Sequence, residues 1–139
     1  MTDFCNRLGS VLRAKPCEIE NETDYLASAV LVPLVRENGR LGVLFEVRSA
    51  ALSWQPGDIC FPGGKIELDD PDPLSAALRE TQEELQVPAA DIEVIGPLNY
   101  MVSPIGVMLY PFAAYIRDIS LIQPKKEEVA EIFIAPLED

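Results

Sequence analysis

The sequence predicts an α/β fold, and three observations carry that expectation. Runs of β-branched and aliphatic residues recur along most of the chain, and one amphipathic helical segment stands between them. The length, 139 residues of which 48% are hydrophobic, suffices for one globular core and is short for two. One domain over residues 1–139 is therefore expected, opened by a helix and linker over residues 1–26.

The elements follow in chain order. Residues Asp3 to Ala14 suggest a short helix, and a polar, loose segment follows around Cys17 to Asp24. Ala29 to Val35 and Leu41 to Val47 read as strands joined through Glu37-Asn38-Gly39-Arg40, where Asn-Gly favours a tight hairpin turn. Pro33 lacks an N–H and points to an edge or a bulge in the first of them. A helix then starts at Asp72, a capping residue followed by Pro73 at the first helical position, and Pro88 stops it. Leu74, Ala77, Leu78, Thr81 and Leu85 form its apolar stripe. Ile92 to Leu98, Val107 to Ile116 and Val129 to Ala135 read as further strands. Trp54, Phe61, Phe112 and Tyr115 are expected in the core, following the burial habits of aromatic residues.

The chemistry concentrates on that helix. Glu80, Glu83 and Glu84 are spaced i, i+3 and i+4, so they are expected to project from one acidic face, behind the turn Phe61-Pro62-Gly63-Gly64, and to converge on cations. Three like charges repel unless something neutralises them, and hard oxygen donors suit Mg2+ or Mn2+. Arg79, four residues before Glu83, is placed to pair with it and hold it. A solvated acidic helix face is the plainer explanation of any isolated Glu-x-x-Glu-Glu. The surrounding residues decide between the two.

Gly64 to Val87 resembles the signature of Nudix hydrolases, Gly-x5-Glu-x7-Arg-Glu-U-x-Glu-Glu-x-Gly-U with U aliphatic. Gly64, Arg79, Glu80, Glu83, Glu84 and Val87 match; Asp70 stands where the first Glu is usual, the following spacer is one residue longer, and Thr81 and Gln86 replace an aliphatic residue and a Gly. The resemblance implies a Nudix fold, a mixed β-sheet sandwiched between helices. It also implies that the carbonyl of Gly63 and the side chains of Glu80, Glu83 and Glu84 hold Mg2+ or Mn2+. The base that activates water is then one of the helix glutamates, Glu80 or Glu83, or a Glu of a later loop, Glu127 or Glu128. A solvated turn formed with Lys125 and Lys126 is the alternative for that last pair.

A second resemblance narrows the subgroup. Leu44-Phe45-Glu46-Val47-Arg48-Ser49, then Ser53, Gly57 and Phe61-Pro62-Gly63-Gly64, is similar to Leu-Leu-Thr-x-Arg-Ser-x3-Arg-x3-Gly-x3-Phe-Pro-Gly-Gly, a pattern of Nudix enzymes that cleave coenzyme A. Phe45-Glu46 replaces Leu-Thr, and Ser53 replaces the second Arg, removing an anion contact. The resemblance implies metal-dependent hydrolysis of the diphosphate in coenzyme A or acyl-coenzyme A, giving 4′-phosphopantetheine and adenosine 3′,5′-bisphosphate. Arg48, Ser49, Gly57 and Lys65 are its substrate-binding candidates. ADP-ribose or another nucleoside diphosphate derivative is the alternative substrate, and a catalytically silent nucleotide-binding module the alternative class; intact Glu80, Glu83 and Glu84 speak against silence. Relatives of this subgroup continue past the position of Pro136-Leu137. This sequence stops at Asp139, so a C-terminal helix and part of a binding surface or dimer contact are expected to be absent from it, as in a trimmed or a short variant, and a homodimer stays open.

Composition sets independent limits. A net charge of −12 disfavours nonspecific contact with nucleic acid or anionic membrane, which both need basic surface. An anionic substrate must then be received by metal ions and by local cations such as Arg48, Lys65 and Arg79. The absence of histidine excludes a Ser-His-Asp triad, a Cys-His pair and a His-ligated zinc centre. Cys5, Cys17 and Cys60 read as reduced thiols of a cytoplasmic protein, with a reactive Cys60 as the minor alternative. No signal peptide opens the chain and no apolar run approaches the ~20 residues of a membrane span.

Overall fold

The computed structural model describes residues 2–13, 26–104 and 106–137; the expected loose segment with Cys17 lies outside them. Helix α1 (Thr2–Arg13) is followed by β1 (Leu26–Glu37), β2 (Arg40–Arg48), β3 (Ile59–Cys60) and β4 (Gly63–Lys65). Then come α2 (Pro73–Leu85), β5 (Ile92–Pro97), β6 (Met101–Val102), β7 (Val107–Ile116) and β8 (Val129–Pro136). Among the described residues the eight strands form one mixed sheet along the path β3-β2-β1-β7-β5, with β8 on β2, β4 on β1 and β6 on β7. β1 and β7 run parallel and the other pairs antiparallel.

Helices cover both faces of this sheet. Ala76, Ala77 and Leu85 of α2 bury against Ala29, Leu31 and Leu44, while α1 packs through Cys5, Leu8 and Leu12 against Leu34, Ile95 and Ala113. The expected strands are all present, and β3, β4 and β6 were too short for periodicity to reveal. Asn38 and Gly39 take φ of 51° and 78°, as a two-residue hairpin turn requires, and set the register Glu37↔Arg40.

Two expectations are corrected. Pro33 lies neither at an edge nor in a bulge: it is fully buried in β1 and registers with Ala114 of β7. β1 pairs β4 through residues 28–30 and β2 through residues 34–37. The Leu31 N–H donates toward Pro62 on that side, so the Pro33 nitrogen, two residues on, faces the gap between the two partners. A missing N–H costs no ladder bond there. Trp54 is the second correction: it is 58% exposed in the loop between β2 and β3, outside the core, whereas Phe61, Phe112 and Tyr115 are half-buried.

Candidate active site

The turn from β4 into α2 brings the site together. Gly63 has φ 155°, and a Cβ there would stand 2.3 Å from the Ala29 carbonyl oxygen and 2.6 Å from the Val30 Cα. A Cβ on Gly64 would stand 2.7 Å from the Glu80 carboxyl carbon. The two glycines therefore let β4 press between β1 and α2, with the backbone directly beside the glutamates. Helix α2 starts as its sequence indicates, the Asp72 carboxylate accepting from the Ser75 N–H at 2.8 Å. It ends on Gln86, which takes the left-handed conformation (φ 54°) that Gly favours. The Gln86 side chain offers a compensation, donating to the Gln123 carbonyl at 2.6 Å.

The three glutamates do not share one wet face. With about 100° per residue, Glu84 lies ~40° to one side of Glu80 and Glu83 ~60° to the other. Glu84 is thereby carried onto the dry side, 7% exposed among Ala77, Thr81 and Leu85. Glu80 sits at the boundary and Glu83 is half-exposed. The expected stripe shifts accordingly: Ala76 is buried, and Leu74 and Leu78 only half-buried.

Each carboxylate has a distinct neighbour. Arg79 grips Asp70 with two bonds, Nε at 3.0 Å and Nη2 at 2.8 Å, and Glu80 through Nη1 at 2.8 Å. Its Nη2 also donates to the Lys65 carbonyl at 3.3 Å. The expected partner, Glu83, is only at the limit of pairing, 3.9 Å away. The Arg79 guanidinium, first through its hydrogen bonds, holds Asp70 below the ordinary carboxylate range. Glu80 is raised by burial despite the same guanidinium. Glu84 accepts from the Gly63 N–H at 3.3 Å. Its carboxyl also hydrogen-bonds to Glu46 of β2; burial first, then the neighbouring carboxylate, pushes its pKa well up.

Glu46 escaped assignment from sequence as a site residue. It is 1% exposed, and its Oε1 is buried without a hydrogen-bond partner. A signal was present: within Leu41 to Val47, Glu46 shares the phase of Leu44, the core-facing phase. A charged residue there is out of pattern.

The later loop is stitched to the end of α2, the Gln123 and Lys125 N–H groups donating to the Leu85 and Glu84 carbonyls at 2.8 Å each. The Ser49 N–H donates to the Glu128 carbonyl at 2.9 Å, joining the loop to β2. Glu128 acts electrostatically on both Glu46 and Glu80 and pairs with Lys125 at 3.7 Å, whereas Glu127 is exposed. Of the two, Glu128 is the one brought to the acidic cluster.

On the substrate side, Arg48 ends β2 beside Glu46. Its Nε donates to the Trp54 carbonyl at 3.1 Å and its guanidinium reaches the Cys60 thiol. The Ser49 hydroxyl accepts from the Ala51 N–H at 3.2 Å, and the Gly57 N–H donates to the Arg48 carbonyl at 3.1 Å; both shape the loop between β2 and β3. Lys65 is exposed on β4. Cys60, free and half-buried, has its pKa pushed by burial to about 11, which keeps it a protonated thiol and a poor nucleophile.

The donor set fits a hard divalent cation. It is built of carboxylate oxygens beside the glycine backbone, whose Gly63 N–H already meets Glu84, and it includes a buried carboxylate oxygen with no partner. Among the described residues no three acidic or thiol side chains form a preformed cage, because Glu80 turns to Arg79, Glu83 to solvent, and Glu84 to Glu46 and Gly63. Side-chain rotation is needed to gather them. A shallow depression lined by Ser75, Leu78, Arg79, Gln82 and Glu83 runs along the outer flank of α2. Charge, rather than concavity, locates the site. No helix of the described residues is long and apolar enough to cross a membrane.

Comparison with known proteins agrees with this geometry. Residues 25–139 match the model of the NUDIX domain. The chain is 35% identical over 129 residues to the mouse "Peroxisomal coenzyme A diphosphatase NUDT7", covering 91% of this chain and 55% of that protein. It is 38% identical to the "Uncharacterized Nudix hydrolase NudL" of Citrobacter koseri, covering all of this chain and 70% of that protein. The chain thus spans between about half and about two thirds of the length of these relatives. Among solved structures, a C. elegans Ap4A hydrolase binary complex superimposes with TM-score 0.65 at 19% identity, over 81% of this chain and 80% of the other. The NUDIX domain of Shewanella oneidensis NrtR complexed with ADP ribose gives 0.62 at 20%, over 90% and 77%. At such identities these two structures support the fold alone.

Proposed function

The chain belongs to the Nudix family, and from that premise we propose that it is a divalent-metal-dependent pyrophosphohydrolase whose substrate is coenzyme A or an acyl derivative. The observation that carries the substrate class is the stretch from Arg48 to Gly64, whose ends fold back beside one acidic cluster. The likeness to a mouse protein named as a coenzyme A diphosphatase, over 91% of this chain, supports the same class.

Glu80, Glu83, Glu84 and the Gly63 carbonyl would hold Mg2+ or Mn2+. Such an ion polarises diphosphate oxygens and makes water more acidic. Arg79 keeps Glu80 oriented through the Asp70 clamp. Glu128, Glu83 or Glu80 takes the proton from the attacking water, Glu127 being the least favoured because it faces solvent. The water oxygen bonds to one phosphorus as the bridging P–O bond breaks, its electron pair leaving with the second phosphate. The products are 4′-phosphopantetheine and adenosine 3′,5′-bisphosphate. Arg48 and Lys65 meet the anionic parts of the substrate, and Ser49 and Gly57 shape the loop that presents Arg48.

The test is hydrolysis of coenzyme A, 3′-dephospho-coenzyme A, ADP-ribose and nucleoside triphosphates with Mg2+ or Mn2+, products identified by mass. Coenzyme A is expected to turn over fastest. Arg48→Ala is expected to reduce kcat/KM on it by about 10–100-fold, as loss of a charge-assisted contact of ~1.5–3 kcal/mol implies. An erosion of the preference over the dephospho form assigns Arg48 to the 3′-phosphate, and equal loss on both assigns it to the diphosphate. Faster turnover of ADP-ribose would replace the coenzyme A reading.

A further inference from the structure

We propose that Glu46 is a further carboxylate of the cation site, a ligand on the floor of the sheet facing the glutamates of α2. The inference rests on the reading of α2 as a divalent-cation site and goes beyond it, since the related sequence pattern has Thr at this place and offers no ligand there.

The argument starts from burial. Glu46 is 1% exposed on β2, registered with Cys60 of β3 and Ile132 of β8, neither of which carries a positive charge, and Arg48 of the same strand acts on it only through space. Among the described residues it makes no ion pair: the nearest guanidinium, Arg48, spends its Nε on the Trp54 carbonyl. Its contact is another carboxylate, Glu84, itself 7% exposed and held by the Gly63 N–H. Oε1 of Glu46 is buried and has no hydrogen-bond partner. An unanswered carboxylate oxygen beside a second buried carboxylate is costly, and such groups call for an ion or another compensating partner. Glu84 occupies the dry side of α2, so a cation held there between helix and sheet is reached from the helix by Glu84 and from the sheet by Glu46. Divalent cations of the Mg2+ and Mn2+ class accept this all-oxygen set.

Mn2+ binding to the full chain, followed by calorimetry and by the electron paramagnetic resonance of the free ion, tests the proposal without recourse to activity. The variants are Glu46→Gln, Glu46→Thr and, as the control for the underlying reading, Glu83→Gln. Both Glu46 variants are expected to weaken Mn2+ binding about tenfold, while their metal-free melting temperature holds or rises because an unanswered buried oxygen is gone. The rise in melting temperature on adding Mn2+ shrinks in step. Mn2+ affinity within twofold of wild type in both variants, with Glu83→Gln impaired, overturns the role of Glu46 and leaves the helix site standing. Unchanged affinity in Glu83→Gln overturns the helix site and this proposal with it. Loss of fold in both Glu46 variants, with and without Mn2+, makes Glu46 a folding residue and also overturns the proposal.

Discussion

The two sides of α2 treat the same chemical group in opposite ways. On the outer side Asp70 and Glu80 are clamped by one guanidinium, each within 3.0 Å of an Arg79 nitrogen, so their charge is answered by the chain itself. On the inner side Glu84 and Glu46 face each other in the core, neither making an ion pair among the described residues, and Oε1 of Glu46 stays unpaired. The difference separates a framework from a proposed receptor: the outer clamp ties the turn before α2 to the helix, while the inner pair, on our proposal, takes a cation from outside the chain.

The largest expected effect comes from removing a candidate cation ligand, Glu84 on the inner side or Glu83 on the wet side. Glu84→Gln and Glu83→Gln each keep size and remove a charge, and each is expected to lower kcat by on the order of 10²–10³-fold, as loss of one preorganised electrostatic contact typically does. Metal-free Glu84→Gln is expected to unfold at no lower denaturant concentration than wild type, since the substitution removes an ionisable group from a buried acid pair. Turnover by both variants at the wild-type rate under limiting Mg2+ would erase the distinction between framework and receptor.

A smaller loss is expected from the clamp, with a different signature. Arg79→Ala frees Glu80 and Asp70 together and should reduce kcat/KM by about 10–100-fold, the range for a partner that orients a ligand. Stability should fall as well, which Glu84→Gln does not share. Denaturant melts beside steady-state rates separate the two; an Arg79→Ala protein of full stability would show that the clamp is not a framework.

The smallest effect distinguishes the two sides by the sign of their pH dependence in metal-free protein. Asp70 is held below the ordinary value of 3.8, so its contribution is present above that value and lost as pH falls through the folded pKa. Glu84 is raised above 4.5, so the folded state binds the extra proton and stability declines as pH rises from that value through neutrality. Asp70→Asn should flatten the acid limb alone, and Glu84→Gln the neutral limb alone. Unfolding curves at several pH values read both slopes, and the same slope in both variants would sink the comparison.

Local elements were legible because few adjacent residues encode them. The Asp72-Pro73 start, the Asn38-Gly39 turn and the strands over β1, β2, β5, β7 and β8 were read from spacing and turn chemistry, and each is present. Gln86 tested that logic: the helix ends in a left-handed residue without a glycine, and a side-chain bond to the Gln123 carbonyl, a distant partner, replaces the missing preference. Trp54 failed the burial habit of its type because the loop from Arg48 to Asp58 closes on backbone hydrogen bonds and leaves the indole outside.

By itself the sequence determined the α/β composition, the acidic helix behind its glycine turn, and a resemblance specific enough to name a family. Those features live in short stretches, where periodicity, capping and motif spacing act within a few residues. Tertiary structure alone decided which glutamate enters the core, that Arg79 answers Asp70 rather than Glu83, that Pro33 meets a gap instead of an edge, and that Glu46 stands against Glu84. Each of these depends on the register of distant segments. A carboxylate's energy is set by the charges and water around it, and only the packed sheet and helix bring those together.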